Sequence, residues 1–280
     1  MGYGKDDYDL DDPEVVGAID DLPIWSAPFG MKLLELIELR SNINVLDVGS
    51  GNGFPAIELS QRLGDTCRVY CVDPWEQACS RMERKIRVWG IENIEILSIR
   101  AEEMPFEKQF FDLIISNNGI NNVENDREVF SEIARVSRDG AQMVISVNLP
   151  GTMAEFYDVF RRVLKERKMN DRIRTLDQHI FEKRKPVEYT IDLITGSGFE
   201  IEDIYRDSFQ LCYTDGTTML NNFFIKLAFL PFWKKLVSDS ERTGIFNSLE
   251  SELNAISSRE GCLKLTVPWV CINARKRVAE

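Results

Sequence analysis

Val45-Leu46-Asp47-Val48-Gly49-Ser50-Gly51-Asn52-Gly53-Phe54 decides the fold of this 280-residue chain. An apolar, β-branched run enters three glycines at alternate positions, and a helical pattern follows over 55–63. Glycine reaches positive φ without a Cβ penalty and lets the backbone press against a ligand. In open α/β sheets such a turn sits at the carboxyl end of a strand, where ligands bind. Outward from it the sequence alternates apolar runs with helical patterns: strands at 43–48, 68–72, 94–99, 111–116 and 142–147, and helices at 55–63, 76–89 and 124–136. That rhythm predicts an α/β fold, a mostly parallel sheet sandwiched by helices. The strands are apolar throughout because both faces are covered.

Beyond residue 150 the rhythm changes. An amphipathic helix is expected over 153–168, a polar stretch to Pro186, a helix over 187–195 stopped by Gly196-Ser197-Gly198, and a strand near 199–211. Residues 217–258 read as helical, and 263–274 as a last strand at or beside a sheet edge. The expected organisation is an N-terminal cap (1–40) and a core (41–150, continued by 186–215 and 259–280). Segments 151–185 and 216–258 read as helical lid insertions.

Asp73 ends the second strand, at the distance from the glycine turn expected of a carboxylate that accepts from both ribose hydroxyls of a nucleoside. A dinucleotide fingerprint starting at Gly49 requires glycine at position 54, and the residue is Phe54. A pyrophosphate on the helix N-terminus is therefore disfavoured against a nucleoside with a small zwitterionic tail, whose ammonium suits Asp47. S-adenosylmethionine fits that description.

With these residues the sequence resembles the Rossmann-like, S-adenosylmethionine-dependent methyltransferases, in particular the small-molecule branch of quinone-ring and sterol methyltransferases. Four motifs match in order: Val45–Phe54, Val72-Asp73-Pro74, Ala101-Glu102-Glu103-Met104-Pro105-Phe106, and Phe111-Asp112-Leu113-Ile114-Ile115-Ser116-Asn117. The resemblance covers about 43–150, and more loosely 193–199. It implies a methyl transfer to a small-molecule acceptor, with S-adenosyl-L-methionine held by Asp47, Gly49, Ser50, Gly51, Gly53, Phe54, Asp73, Pro74, Trp75, Ala101, Glu102 and Asn117. In that scheme Gly49, Ser50 and Gly51 line the methionine, Asp73 binds ribose, and Pro74 and Trp75 flank adenine. One departure stands out: the aspartate that relatives place before the Ala-Glu pair is here Arg100, so Glu102 or the Ala101 backbone must serve adenine.

Methyl transfer from a sulfonium is an in-line displacement in which positioning supplies much of the rate, so a conspicuous acid–base cluster is not required. For an acceptor that must lose a proton, the candidates are His179, Tyr157 and Tyr213, with Asn117 and Asn118 orienting the acceptor. Trp25 and Phe29 are expected as apolar walls. Other readings stay open: a mere glycine turn, Asp73 as a helix cap, an NAD(P)-dependent oxidoreductase, or a non-catalytic cofactor-binding scaffold.

Composition narrows the partners. Thirty-four basic residues against 46 acidic ones give a net charge of −12, which argues against a nucleic-acid binder. Residues 1–21 hold eight of the acids against Lys5 alone. Segment 161–186 reverses the sign, with ten basic residues against four acidic ones, a balance of +6 that suits either an anionic acceptor or a solvated helix face. Six cysteines without a C-x-x-C pair and one histidine suggest neither disulfides nor a metal site. No signal peptide or transmembrane stretch is read, so a reducing cytoplasm is expected. The apolar segment 219–233 exceeds one amphipathic stripe and is expected as a pocket lid, a homodimer face or a membrane contact.

Overall fold

The computed structural model describes residues 9, 11–20 and 25–278. Most of the acidic N-terminal segment, and Leu22 to Ile24 ahead of Trp25, lie outside the described residues. In chain order the first elements are α1 (Pro13–Asp20), α2 (Ala27–Leu36), β1 (Asn44–Val48), α3 (Ala56–Leu63), β2 (Arg68–Val72), α4 (Glu76–Trp89), β3 (Ile94–Leu97), β4 (Phe111–Asn117), α5 (Asp126–Val136) and β5 (Ser137–Asn148). There follow α6 (Ala154–Glu166), α7 (Asn170–Lys183), α8 (Val187–Gly196), β6 (Phe199–Tyr213), α9 (Gly216–Asn221), α10 (Phe223–Ala228), α11 (Leu230–Lys235), α12 (Asp239–Glu260) and β7 (Leu263–Lys276).

The seven strands form one sheet in the order β3-β2-β1-β4-β5-β7-β6. β1 pairs in parallel with β2 and β4, β2 with β3, and β4 with β5, whereas β7 runs antiparallel to β5 from Gln142↔Arg275 to Asn148↔Trp269. The direction of winding reverses between β1 and β4, which opens the crevice in which such sheets bind ligands. Val45, Leu46 and Val48 on β1, and Ile114 and Ile115 on β4, are inaccessible to solvent, as strands covered on both faces require. Turn chemistry sets the helix ends: Pro28 stands in the first turn of α2, Gly90 closes α4 in the left-handed conformation, and Ser238 with Glu241 forms a capping box on α12.

The chain divides into two compact units, one of 10–149, 185–207 and 269–280, and one that includes 150–184 and 208–268; the divisions cut β6 and β7. The first holds the parallel sheet. The second is built mainly of helices. Inside the second unit the polar stretch after Lys168 is the helix α7, whose buried stripe is only Leu176 and Ile180, one turn apart. Half of its other positions are charged, with ion pairs such as Arg161–Asp177 at 2.8 Å and Arg174–Asp171, so periodicity alone could not show it. The apolar segment 219–233 is mostly core, not a free face. Breaks at Asn222 and Phe229 divide it into α9, α10 and α11, which turn Met219, Leu220, Ile225, Leu227, Phe229, Leu230 and Trp233 inward. Trp233 stacks on Phe156 at 3.9 Å between ring centroids. Of the segment's large apolar side chains, only Phe232 is markedly exposed.

No helix among the described residues is long and apolar enough to cross a membrane.

Candidate functional site

The carboxyl end of β1 turns sharply at Gly49, Gly51 and Gly53, which hold φ of +76°, +50° and +100°. Side chains at these positions would be strained. Gly49 N–H donates to Val72 O at 2.8 Å, so the turn begins by locking onto the end of the neighbouring strand. From there Asp73 reaches back across the loop. Its Oδ2 accepts from Gly51 N–H and its Oδ1 from Trp75 N–H, each at 2.8 Å. These bonds occupy two of the roughly four lone-pair positions of a carboxylate, which leaves one on each oxygen for a ligand hydroxyl. Trp75, not Asp73, is the N-cap residue of α4, and its side chain makes no capping hydrogen bond.

Asp47 lies beneath the loop with no solvent exposure, and neither carboxylate oxygen has a hydrogen-bond partner. Burial lifts its carboxyl well above the usual carboxylate range, and the nearby Asp73 charge adds to the effect. Asn52 Oδ1 is likewise buried without a partner. Unpartnered buried acceptors are costly, and a ligand ammonium would satisfy those of Asp47.

The facing wall comes from β4. Ser116 Oγ donates to Val48 O at 2.7 Å and accepts from Ile120 N–H at 3.2 Å, which draws the loop after β4 onto the end of β1. Gly119 then sits so close that a Cβ there would stand 2.5 Å from Val48 O. This glycine escaped the sequence reading; the only local signal is its place after two asparagines at a strand end. Asn117 donates to Ser26 O at 3.2 Å and accepts from Ser146 Oγ at 2.9 Å. Asn118 holds φ +61°, and its Oδ1 accepts from Asn121 Nδ2 at 2.8 Å and Asn148 N–H at 3.1 Å. Asn117 thus ties the end of β4 to Ser26 and to β5, and Asn118 is engaged in the turn that follows.

Phe54, which occupies the position of the third glycine of a dinucleotide fingerprint, packs on α2: a Cβ at Gly30 would stand 2.1 Å from Phe54 Cε1. Phe29 is fully buried, edge-on to Trp269 at 5.6 Å, and Trp25 is edge-on to Phe29 at 5.8 Å. Ala101 is buried in a short 3-10 turn, Ala101–Glu103. Arg100 pairs with Glu124 at 2.6 Å, and Glu102 Oε1 accepts from Asn125 N–H at 3.1 Å, so the Glu102 carboxylate is partly committed to the start of α5. Pro74 is exposed and Trp75 half-buried.

The proton-transfer candidates lie in the helical unit. Tyr157 is buried on α6 and its Oη accepts from Trp233 Nε1–H at 3.0 Å. Burial pushes the Tyr213 phenol up to about 12, away from the range of a base at neutral pH. His179 on α7 stacks on Phe232, and burial together with the charges of Lys183 and Arg184 lowers its pKa, which keeps it neutral at pH 7.

The chain resembles demethylmenaquinone methyltransferase of Listeria welshimeri serovar 6b, with 27% identity over 135 residues, 47% of this chain and 57% of that protein. It thus spans about half the length of the curated relatives it matches. Among solved structures, a methyltransferase of Bacillus halodurans C-125 described there as putative superposes with a TM-score of 0.58 at 18% identity, covering 89% of this chain and 99% of the other. The [4+2]-cyclase SpnF superposes with a TM-score of 0.55 at 14% identity, covering 90% and 81%. A fold shared with a cyclase leaves the reaction to be argued from the site. The resemblance drawn from the glycine loop and its three companion motifs is borne out: the methyltransferase-domain family model matches residues 39–190, more than half of the chain, and the chain belongs to that family.

Proposed function

We propose that this protein transfers a methyl group from S-adenosyl-L-methionine to a small-molecule acceptor. The observation that carries this reading is the buried Asp47 carboxylate, which has no protein partner and lies beneath a glycine turn tied to Asp73. The cofactor supplies a methyl group on a positively charged sulfonium. Asp47 holds its ammonium, the Gly49 to Gly51 backbone lines the methionine portion, and Asp73 accepts from ribose with its remaining lone pairs. Pro74, Trp75, Ala101 and Glu102 serve the adenine end, and Phe54 and Asn117 complete the wall. Positioning is then the main catalytic contribution.

The helical segments 151–185 and 216–258 recognise the acceptor in this reading, and His179 is the group best suited to accept a proton from it. An NAD(P)-dependent oxidoreductase is disfavoured because Phe54 fills the fingerprint position with a ring packed on Gly30. Calorimetry with S-adenosylhomocysteine, S-adenosylmethionine and NAD tests the cofactor: the first two bind and NAD does not. Absence of S-adenosylhomocysteine binding overturns the reading. Methyl incorporation from labelled cofactor into a panel of small molecules then finds the acceptor. Demethylmenaquinone belongs in that panel because the Listeria relative bears its name.

A further inference from the structure

The motif Ala101-Glu102-Glu103-Met104-Pro105-Phe106 has two halves, and the function proposed above uses only the first, with Ala101 and Glu102 at the adenine end of the cofactor. The second half is held by one arginine. Arg135, in the last turn of α5, donates from Nη1 to Phe106 O at 2.7 Å and from Nη2 to Met104 O at 3.0 Å. Its other edge is fixed by Glu132, one turn earlier on the same helix: Nε donates to Oε1 at 2.8 Å and Nη2 to Oε2 at 2.7 Å. Four of the five N–H groups of the guanidinium are thus spent, two on the carboxylate of its own helix and two on the loop.

The spacing of the two carbonyls has a physical reason. In an extended chain successive residues face opposite sides, so the carbonyls of residues two apart face the same way. Pro105 between them enforces that conformation, because its ring disfavours a helical residue ahead of it, and Met104 holds φ −68° and ψ 122°. A flat guanidinium fork spans two such carbonyls at once, whereas a lysine ammonium is a single point on a flexible stem. The Phe106 ring packs edge-on to Tyr70 at 5.3 Å and to Phe111 at 4.8 Å. At the other end of the motif Glu102 Oε1 accepts from the N–H of Asn125, the N-cap of α5, at 3.1 Å. The one helix therefore grips the loop twice, from its N-cap and from its last turn.

We propose that Arg135 is a positioning residue for the cofactor: by fixing the carbonyls of Met104 and Phe106 it sets the shape of the loop that reads adenine, and with it the selectivity of the site for that base. The inference rests on the cofactor reading above. Adenine offers a donor at its exocyclic amino group and an acceptor at the neighbouring ring nitrogen. Hypoxanthine offers the reverse, so a loop of fixed shape that pairs with one base leaves its polar groups unpaired against the other.

The test titrates the full chain by calorimetry with S-adenosylhomocysteine and with S-inosylhomocysteine, which differs at those two positions alone. Wild type binds the first more tightly by about tenfold or more. Arg135→Gln and Arg135→Lys each weaken S-adenosylhomocysteine by about tenfold and leave S-inosylhomocysteine nearly unchanged, which brings the two affinities to within roughly threefold of each other. Hydrogen exchange at the amides of Ala101 to Met104 and of Phe106 speeds up in both variants. A merely structural role for Arg135 lowers both affinities alike and leaves their ratio at the wild-type value, so the ratio separates positioning from general destabilisation. Arg135→Lys keeps a positive charge beside Glu132 and decides alone if Arg135→Gln does not fold. The wild-type ratio in folded Arg135→Lys, or equal binding of the two ligands by wild type, overturns the proposal and leaves the cofactor reading standing. Failure of wild type to bind S-adenosylhomocysteine at all overturns the cofactor reading, and the proposal with it.

Discussion

Gly49 and Gly119 meet backbone to backbone: a Cβ on Gly49 would stand 2.7 Å from Gly119 Cα, and one on Gly119 would stand 2.9 Å from Gly49 Cα. The two glycines follow neighbouring strands, β1 and β4, at the point where the sheet reverses its winding. Gly49 is required twice, for its positive φ and for this approach, whereas Gly119 has an ordinary φ of −72° and is required for space alone.

Gly119→Ala should therefore act through displacement of the cofactor loop. Backbone atoms cannot give way as a side-chain tip can, and overpacking of this kind costs about 1–3 kcal/mol. S-adenosylhomocysteine binding should weaken with it, as measured by calorimetry. Gly196→Ala is the control, since nothing lies within 4 Å of a Cβ there and its helix should gain slightly. Equal effects of the two substitutions would show that the contact is unimportant.

Asp73 serves the loop as well as the proposed ribose. Asp73→Ala should weaken S-adenosylhomocysteine binding by about 1.5–3 kcal/mol, the range for hydrogen bonds to a charged group. It should also loosen the Gly51 and Trp75 amides, visible as faster hydrogen exchange at both. Asp73→Asn keeps one carbonyl acceptor and should lie between. Wild-type affinity in Asp73→Ala would confine the residue to its backbone role.

How much of this was legible in the sequence follows from where each signal originates. β1, α3, β2 and α4 could be read to within a residue or so because local pattern and tertiary role agree: apolar runs buried on both faces, then amphipathic helices ended by glycine. Asp47, Gly49 and Asp73 could be read for the same reason, since a strand-turn-helix motif carries its own geometry. Gly119 could not, because its need for a small residue comes from Gly49, 70 positions away. Nor could the inward packing of 219–233, which depends on chain breaks at Asn222 and Phe229 that turn successive short helices. Arg184 could not be told from the five other arginines of 161–186 either, and only the structure shows that its Nε is buried without a hydrogen-bond partner.

Asp47 predicts a pH dependence with a definite sign. Its folded pKa is raised by burial and by Asp73, so between an unfolded value of about 3.9 and the raised one the native state binds more protons than the unfolded state. Stability of the ligand-free protein should thus fall as pH rises through that window. Asp73, also raised by burial, adds in the same direction. Asp47→Asn should flatten the slope and stabilise the ligand-free protein at neutral pH, while weakening S-adenosylhomocysteine binding through loss of the ammonium partner. Denaturant titrations from pH 4.5 to 8 check this. A slope unchanged by Asp47→Asn would mean that the carboxyl ionises freely in the fold.

The aromatic cluster of the helical unit gives the last test. Trp233 is fully buried, stacked on Phe156, edge-on to Tyr157 and in contact with Phe229 at 5.6 Å. Removal of so large a side chain leaves a cavity that rigid neighbours cannot fill, and Trp233→Ala should cost about 3–5 kcal/mol. That loss should be local in its first effects. The residues assigned to the cofactor, Asp47, Gly49 and Asp73, belong to the sheet unit and the cluster to the helical one, so S-adenosylhomocysteine affinity should change less than about threefold, well under the 1.4 kcal/mol that corresponds to a factor of ten. Hydrogen exchange separates the two consequences: amides in 150–184 and 208–268 should lose protection while those of β1 and β4 keep theirs. Phe223→Ala with Phe224→Ala, at half-buried positions of the same segment, should be milder in stability and should impair acceptor turnover more than cofactor affinity. Uniform loss of protection across both units in Trp233→Ala would show that they unfold as one cooperative block, and the assignment of separate cofactor and acceptor roles to them would lose its basis.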